Sequence, residues 1–269
     1  MTALPAHLDF AVREEKVYNQ HGHKLEGFKQ IINDNTNDFV HVHKDSYRVI
    51  THQDAWNNTY QFMVDNFKLD NAKYTFNSSS DGSVLHANIK LEDYKVPYKD
   101  TEIGLQVNMW NSYNGSRRFL IMCGFYLIIC TNGLVSSIWD VRLGHQHKGS
   151  GDINLSKLEA YDVGDKFQTV SNYMENWTAC PISQDDLNYQ TDILCLQPTM
   201  KDKSHVNQQH KTYILDEYNK NYSKKYGDNK FSAYQAMTHW STHYPSDSIN
   251  TRYDRERKVA NFSWFSNAA

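Results

Sequence analysis

Residues 108–135 read NMWNSYNGSRRFLIMCGFYLIICTNGLV, and this stretch decides the architecture. Asn114-Gly115 is the pair that a two-residue type I′ turn demands, because both central positions need positive φ. Before it, Ile103, Leu105, Val107 and Met109 fall on alternate positions; after it, so do Phe119, Ile121, Cys123, Phe125, Leu127 and Ile129. A period of two commits one face of this hairpin to a core. Two arginines, Arg117 and Arg118, follow the turn directly.

Upstream, Ala72–Ser79 and Val84–Leu91 form a strand pair across the turn sequence Ser80-Asp81-Gly82-Ser83, and Pro97 ends the second strand. Joined to the hairpin, they give an antiparallel meander over about 84–92, 102–113 and 117–130. A short hairpin is expected at Phe39–His43 and Tyr47–Ile50. Thr51 then caps a helix over about 52–67, with Asp54 three residues on and Trp56, Tyr60, Met63 and Phe67 at helical spacing.

After Gly133 the period changes to that of helices. Leu155, Leu158, Phe167, Val170, Met174 and Trp177 mark one over 154–178. Another starts at Ser183-Gln184-Asp185-Asp186 and runs to about Cys195, and two more occupy about 209–224 and 230–243. Strands first and helices second predict an α+β fold: an antiparallel β-meander in the first half covered by helices from the second half. Three parts are expected. Residues 1–38 are a polar N-terminal extension, 39–245 a single α+β domain, and 246–269 a basic and aromatic tail.

The chain has 269 residues, 39% hydrophobic and 13% aromatic, enough to bury a core in which aromatic rings replace aliphatic side chains. Its four cysteines are widely spaced without a CxxC pair, which suits a reducing compartment and argues against a disulfide framework or zinc ribbon. There is no signal-peptide pattern, and the run 119–135 is interrupted by glycines and polar residues, so no membrane span is expected. The formal charge of −3 is uneven: residues 199–258 carry a balance of +4 and the remainder −7. Such asymmetry suits a basic surface that meets an anion.

Three segments, in order, resemble the phage- and plasmid-borne family catalogued as domain of unknown function 932. Asn111-Ser112-Tyr113-Asn114-Gly115-Ser116, running through an apolar strand into Cys130-Thr131-Asn132-Gly133-Leu134, looks like the family's SHDGS turn and V-C-x-N-T/G-L strand end. His147-Lys148-Gly149 is similar to its H-T-G, and Gln235–His243 to its N-A-x-T-E-Y-x-x-H helix. Tyr47-Arg48-Val49-Ile50 fits the family's opening. The chain departs from the pattern at Tyr113-Asn114, in place of His-Asp, and at His239, in place of Glu. If the His-Asp pair did acid–base or metal chemistry in relatives, this chain has lost it. The resemblance implies a mobile-element protein in the cytoplasm of an infected bacterium. By topology alone, residues 84–178 also look like the core of ring-forming single-strand annealing proteins.

For function, Arg117, Arg118, Arg142, His145, His147 and Lys148 could line a phosphate groove, with Tyr113 and Tyr126 stacking on unpaired bases. The tail residues Arg252, Arg255, Arg257, Phe262, Trp264 and Phe265 could contact a partner or a second copy. Histidines recur as His-x-His at 21/23, 41/43 and 145/147 and as an i,i+4 pair at 239/243. No carboxylate completes a zincin motif, and no GxSxG, P-loop or GxGxxG occurs, so no catalytic residue, metal or cofactor is assigned. Cys180 and Cys195 read as core fillers. The expectation is a non-catalytic DNA-binding protein that holds single-stranded DNA during recombination or replication and assembles as a homo-oligomer. A host-takeover or structural protein that binds a bacterial protein stays open beside it. A metal-dependent enzyme is the third reading.

Overall fold

A computed structural model describes residues 2–98, 101–127, 141–145, 147, 163–197, 205–245 and 248–266. The fold is α+β, with antiparallel sheets in the first half and helices in the second. The chain divides into two compact units: residues 1–94, 105–123 and 140–161 form one, and residues 95–104, 124–139 and 162–269 the other.

The first unit begins with residues that the sequence reading assigned to a separate extension. Leu4, Leu8 and Phe10 are buried, and Trp56 Nε1 donates to the Thr2 carbonyl at 2.8 Å. Strands β1 (Val12–Tyr18), β2 (Lys24–Asn33) and β3 (Phe39–Lys44) form an antiparallel sheet in that order. A boundary at residue 38 therefore runs through a sheet, since Gln30 pairs with Val42 and Ile31 with His41. The expected hairpin between 39–43 and 47–50 does not form. β3 takes β2 as its partner, and the Arg48 amide instead donates to the His147 carbonyl at 3.0 Å.

Helix α1 (His52–Asn66) starts where Thr51 accepts the Asp54 amide at 2.9 Å, a cap worth about 1 kcal/mol. It buries Ala55, Trp56, Thr59, Phe62 and Met63. Trp56 meets Tyr74 and Phe76 edge-on, with centroids 5.9 and 5.1 Å away.

Those two rings belong to β4 (Ala72–Ser78), the edge of a five-stranded antiparallel sheet ordered β4-β5-β6-β7-β8. Its other strands are β5 (Val84–Tyr98), β6 (Thr101–Ser112), β7 (Phe119–Leu127) and β8 (Val141–His145). The expected meander is present, β4 pairs with β5 as the sequence predicts, and β8 is the strand that was not foreseen. β5 continues through Pro97, where the sequence reading stopped it. Register pairs Tyr74 with Ile89 and Phe76 with Ala87, so the apolar positions share the face that meets α1.

In the second unit, helices α2 (Val163–Ala179), α3 (Gln184–Cys195), α4 (Gln208–Glu217), α5 (Ser223–Tyr226), α6 (Lys230–His243) and α7 (Ile249–Ala260) follow in order. A π-helical turn, Tyr218–Tyr222, joins α4 to α5. The predicted helix at 154–178 is described from Val163 onward; residues 154–162 lie outside the described set. Ser183 and Asp186 form a reciprocal capping box at the start of α3. α6 is buried from Phe231 through Thr238 on every side, because small and apolar residues surround its whole circumference. It packs against α2, α4, the π turn and α7. α7 was not foreseen. Cys195 is buried as expected of a core filler, whereas Cys180 is exposed. Among the described residues no helix is long and apolar enough to cross a membrane.

Candidate functional site

The segment around Asn114-Gly115 is where two other family-like segments, at Tyr47 and His147, come together. The connection between β6 and β7 is longer than a two-residue turn, spanning residues 113–118. Gly115 has φ +70°, but Asn114 is not left-handed, so a type I′ turn is not formed. The reason lies in the side chains. Ser112 Oγ donates to the Arg117 carbonyl at 2.8 Å and accepts the Arg117 amide at 3.0 Å, closing the loop in place of a ladder pair. Asn114 Oδ1 accepts the Ser116 amide, and its Nδ2 donates to Ser83 Oγ at 2.9 Å. Four polar contacts thus fix a wider loop than the Asn-Gly dipeptide alone would choose.

Gly115 also has a packing reason. A Cβ there would come 2.9 Å from His43 Cε1, so only glycine combines this φ with this approach. His43 Nε2 donates to the Tyr113 carbonyl at 2.8 Å. Its ring lies flat on Tyr47 at 3.6 Å, and Tyr47 in turn stacks on His147 at 4.9 Å. Tyr47 Oη donates to the Ser112 carbonyl, and His147 Nδ1 donates to the Arg48 carbonyl at 3.0 Å. Three rings from 43, 47 and 147 therefore stand against the hairpin end. Burial holds the Tyr47 hydroxyl above its ordinary range and His43 below its own.

Behind the loop sits a second, fully buried group. His52 Nε2 donates to the Gly82 carbonyl at 2.9 Å, and its Nδ1 accepts from Asn111 Nδ2 at 3.0 Å. That pairing requires neutral imidazole with the proton on Nε2. Burial accordingly pulls its pKa down to about 4. Tyr113 Oη accepts the His52 amide at 2.9 Å and reaches the Phe10 carbonyl at 3.3 Å, and burial raises its pKa to about 12.

These contacts sort the residues named from sequence. Tyr113 is 1% exposed and His147 6%, so neither offers a ring to a base or a charge to a phosphate; both build the loop. Arg117 is half-buried, with Nη1 donating to the Ser116 carbonyl at 3.0 Å. Arg118 is exposed, and no described residue pairs with it. β8 runs antiparallel to β7 with His145 opposite Phe119, next to the arginine pair, and Arg142 opposite Met122, four residues further along the strand from Arg118. For Arg142, His145 and Tyr126 only the backbone is described, and Lys148 lies outside the described residues.

The C-terminal residues are mostly structural. Phe265 packs against Trp177 and Tyr234, and Phe262 is buried beside it. Arg255 is buried, donating to the Tyr244 carbonyl at 2.8 Å beneath the Tyr244 and Trp240 rings. Arg252 pairs with Glu256 at 2.8 Å. Arg257 is exposed and Trp264 half-buried. The tail is a helix folded onto its own unit rather than an outward anchor, because its aromatic positions fill space around α2 and α6.

His239 and His243 stack in parallel at 4.6 Å on α6, with His239 Nδ1 3.3 Å from Tyr213 Oη and 3.5 Å from Glu217. Among the described residues no group of three or more His, Cys, Asp or Glu is placed to hold a metal. The sequence reading missed His43, His52 and Asn111 as organisers of the loop. The only local signal was Asn111, inside the family-like segment.

No curated protein and no solved structure matches the chain. The model of the domain of unknown function 932 matches residues 40–264, starting within β3 and running past α7; the chain belongs to that family.

Proposed function

We propose that the protein binds single-stranded nucleic acid at the sheet edge where β7 and β8 meet, without catalysing a reaction. The observation that carries this reading is the β7–β8 register, which sets His145 opposite Phe119, the residue that follows Arg117 and Arg118. Arg118 is exposed with no described carboxylate against it, and the loop that holds both arginines is fixed by Ser112, Asn114 and Tyr113. Donors fixed before a polyanion arrives lose little freedom on binding. Tyr113 is withdrawn from the role that the sequence suggested, so affinity rests on phosphates and is indifferent to base sequence. The setting we propose is phage recombination or replication in a bacterial cytoplasm, with several copies lining one strand.

The test is a fluorescence-anisotropy titration of the full chain with a labelled single-stranded oligonucleotide. Binding at low salt that weakens steeply as salt rises is the expected result. No binding at low salt would end the proposal.

One observation favours a second reading, a protein partner. Phe39 is 60% exposed and Tyr18 57%, both in the β1–β3 sheet. Partner capture lost in Tyr18→Ser/Phe39→Ser, with strand binding intact, would separate the two readings.

A further inference from the structure

Helix α3 carries apolar side chains on two opposite sides, and its own unit covers only one of them. Leu187, Thr191, Leu194 and Cys195 are buried. At about 100° per residue, Tyr189, Ile193 and the C-cap residue Leu196 stand roughly half a turn away from that stripe. They are 64%, 38% and 38% exposed. A surface helix ordinarily sets polar residues opposite its core stripe. Steps of four and then three residues, 189 to 193 to 196, make instead a narrow seam of the kind that one helix offers to another.

Charge is sorted along this seam. Asp185 and Asp186 are exposed at its N-terminal end, where the helix dipole favours acid. At its C-terminal end the exposed Lys258 of α7 donates to the Leu196 carbonyl at 2.8 Å, and Lys211 of α4 pairs with Asp192 at 2.6 Å. Both ammonium groups lie close enough to Cys195 to act on its thiol electrostatically. Among the described residues none forms an ion pair with Asp185 or with Lys258. Such a face complements itself. About a two-fold axis that crosses the seam between Tyr189 and Ile193, a second α3 runs antiparallel to the first. The apolar side chains of the two copies then interleave, and Asp185 of each copy comes beside Lys258 of the other.

We propose that α3 is the contact through which two copies of this chain form an antiparallel two-fold dimer, with Tyr189, Ile193 and Leu196 at its centre and an Asp185–Lys258 pair at each end. One helix seam is smaller than the usual stable interface, so the dimer is weak and forms on concentration. The contact does not rest on the strand-binding reading, and its test contains no nucleic acid.

The test is analytical ultracentrifugation of the full chain from micromolar to submillimolar concentration. A reversible monomer–dimer equilibrium is the expected result. Ile193→Lys, on the exposed side of the helix, should weaken association about tenfold or more with the thermal midpoint unchanged. Asp185→Lys and Lys258→Glu each set like charges together at both ends, and each alone should self-associate several-fold more weakly. Mixed one to one, these two variants should recover wild-type association, because both end pairs of the mixed dimer are again opposite in sign. Ile193→Lys and Asp185→Lys keep the test independent of whether Lys258→Glu folds. Tyr18→Ser/Phe39→Ser should leave the dimer as it is. A chain monomeric throughout the range, which would leave the seam to a different protein, would overturn the proposal. So would a dimer indifferent to Ile193→Lys, a mixture no better than its components, or a dimer lost through Tyr18→Ser/Phe39→Ser instead.

Discussion

The β6–β7 loop and the C-terminal helix look alike as sequence, each mixing arginines with aromatic rings, yet they are built to opposite ends. In both, the rings turn inward: Tyr113 onto His52 and Phe10, Phe265 onto Trp177 and Tyr234. The arginines part company. Arg118 is left exposed, whereas in the C-terminal helix Arg255 is buried under two rings, Arg252 is tied to Glu256 and Arg257 alone of the three is exposed. Aromatic residues beside cations therefore do not mark a binding surface by themselves. What distinguishes the loop is that its exposed arginine stands on a turn closed by side-chain hydrogen bonds.

This contrast can be broken or sharpened in four ways. Phe265→Ala should cost the most, about 3–5 kcal/mol in urea unfolding, because it opens a cavity against Trp177 and Tyr234. A change near zero would return the tail to the status of an outward anchor.

Acid should come next. His52 is held neutral, with a folded pKa of about 4 against an ordinary 6.5. Its contribution is intact above about pH 6.5 and is lost as the pH falls toward 4, since only the unfolded chain takes the proton in that window. Burial also lowers His43, His210, His239 and His243, which act in the same direction. Unfolding midpoints measured in urea across this range should drop steadily. A flat profile would remove the neutral-imidazole account of the loop.

Tyr113→Phe should cost about 1–3 kcal/mol, because the His52 amide loses its buried acceptor. Were Tyr113 a surface ring, denaturant midpoints of variant and wild type would coincide. The smallest effect on stability belongs to Arg118→Ala, within about 0.5 kcal/mol. Its effect should appear instead in binding, as a salt slope shallower by about 0.7 for one lost phosphate contact.

Much of the fold was legible where local chemistry decides it. The starts of α1 and α3 follow from Thr51 with Asp54 and Ser183 with Asp186, and that of α6 from Asn229 accepting the Ser232 amide. β1 and β2 were illegible because both faces of VREEKVY are largely exposed and Gly27, at φ +80°, breaks the period of its partner. α7 was hidden by Arg255, a charge in a core position. At the site, Arg117 and Arg118 could be read directly. The fate of Tyr113 could not, since its partners His52 and Phe10 lie 61 and 103 residues away in sequence.

The most direct test of the account compares salt dependence of single-strand binding for wild type, Arg117→Ala/Arg118→Ala and Arg252→Ala/Arg257→Ala. The first pair should bind more weakly with a slope shallower by about 1.4, two contacts' worth, while the second pair keeps the wild-type slope. Equal slopes for all three proteins, or a loss confined to the C-terminal pair, would contradict it.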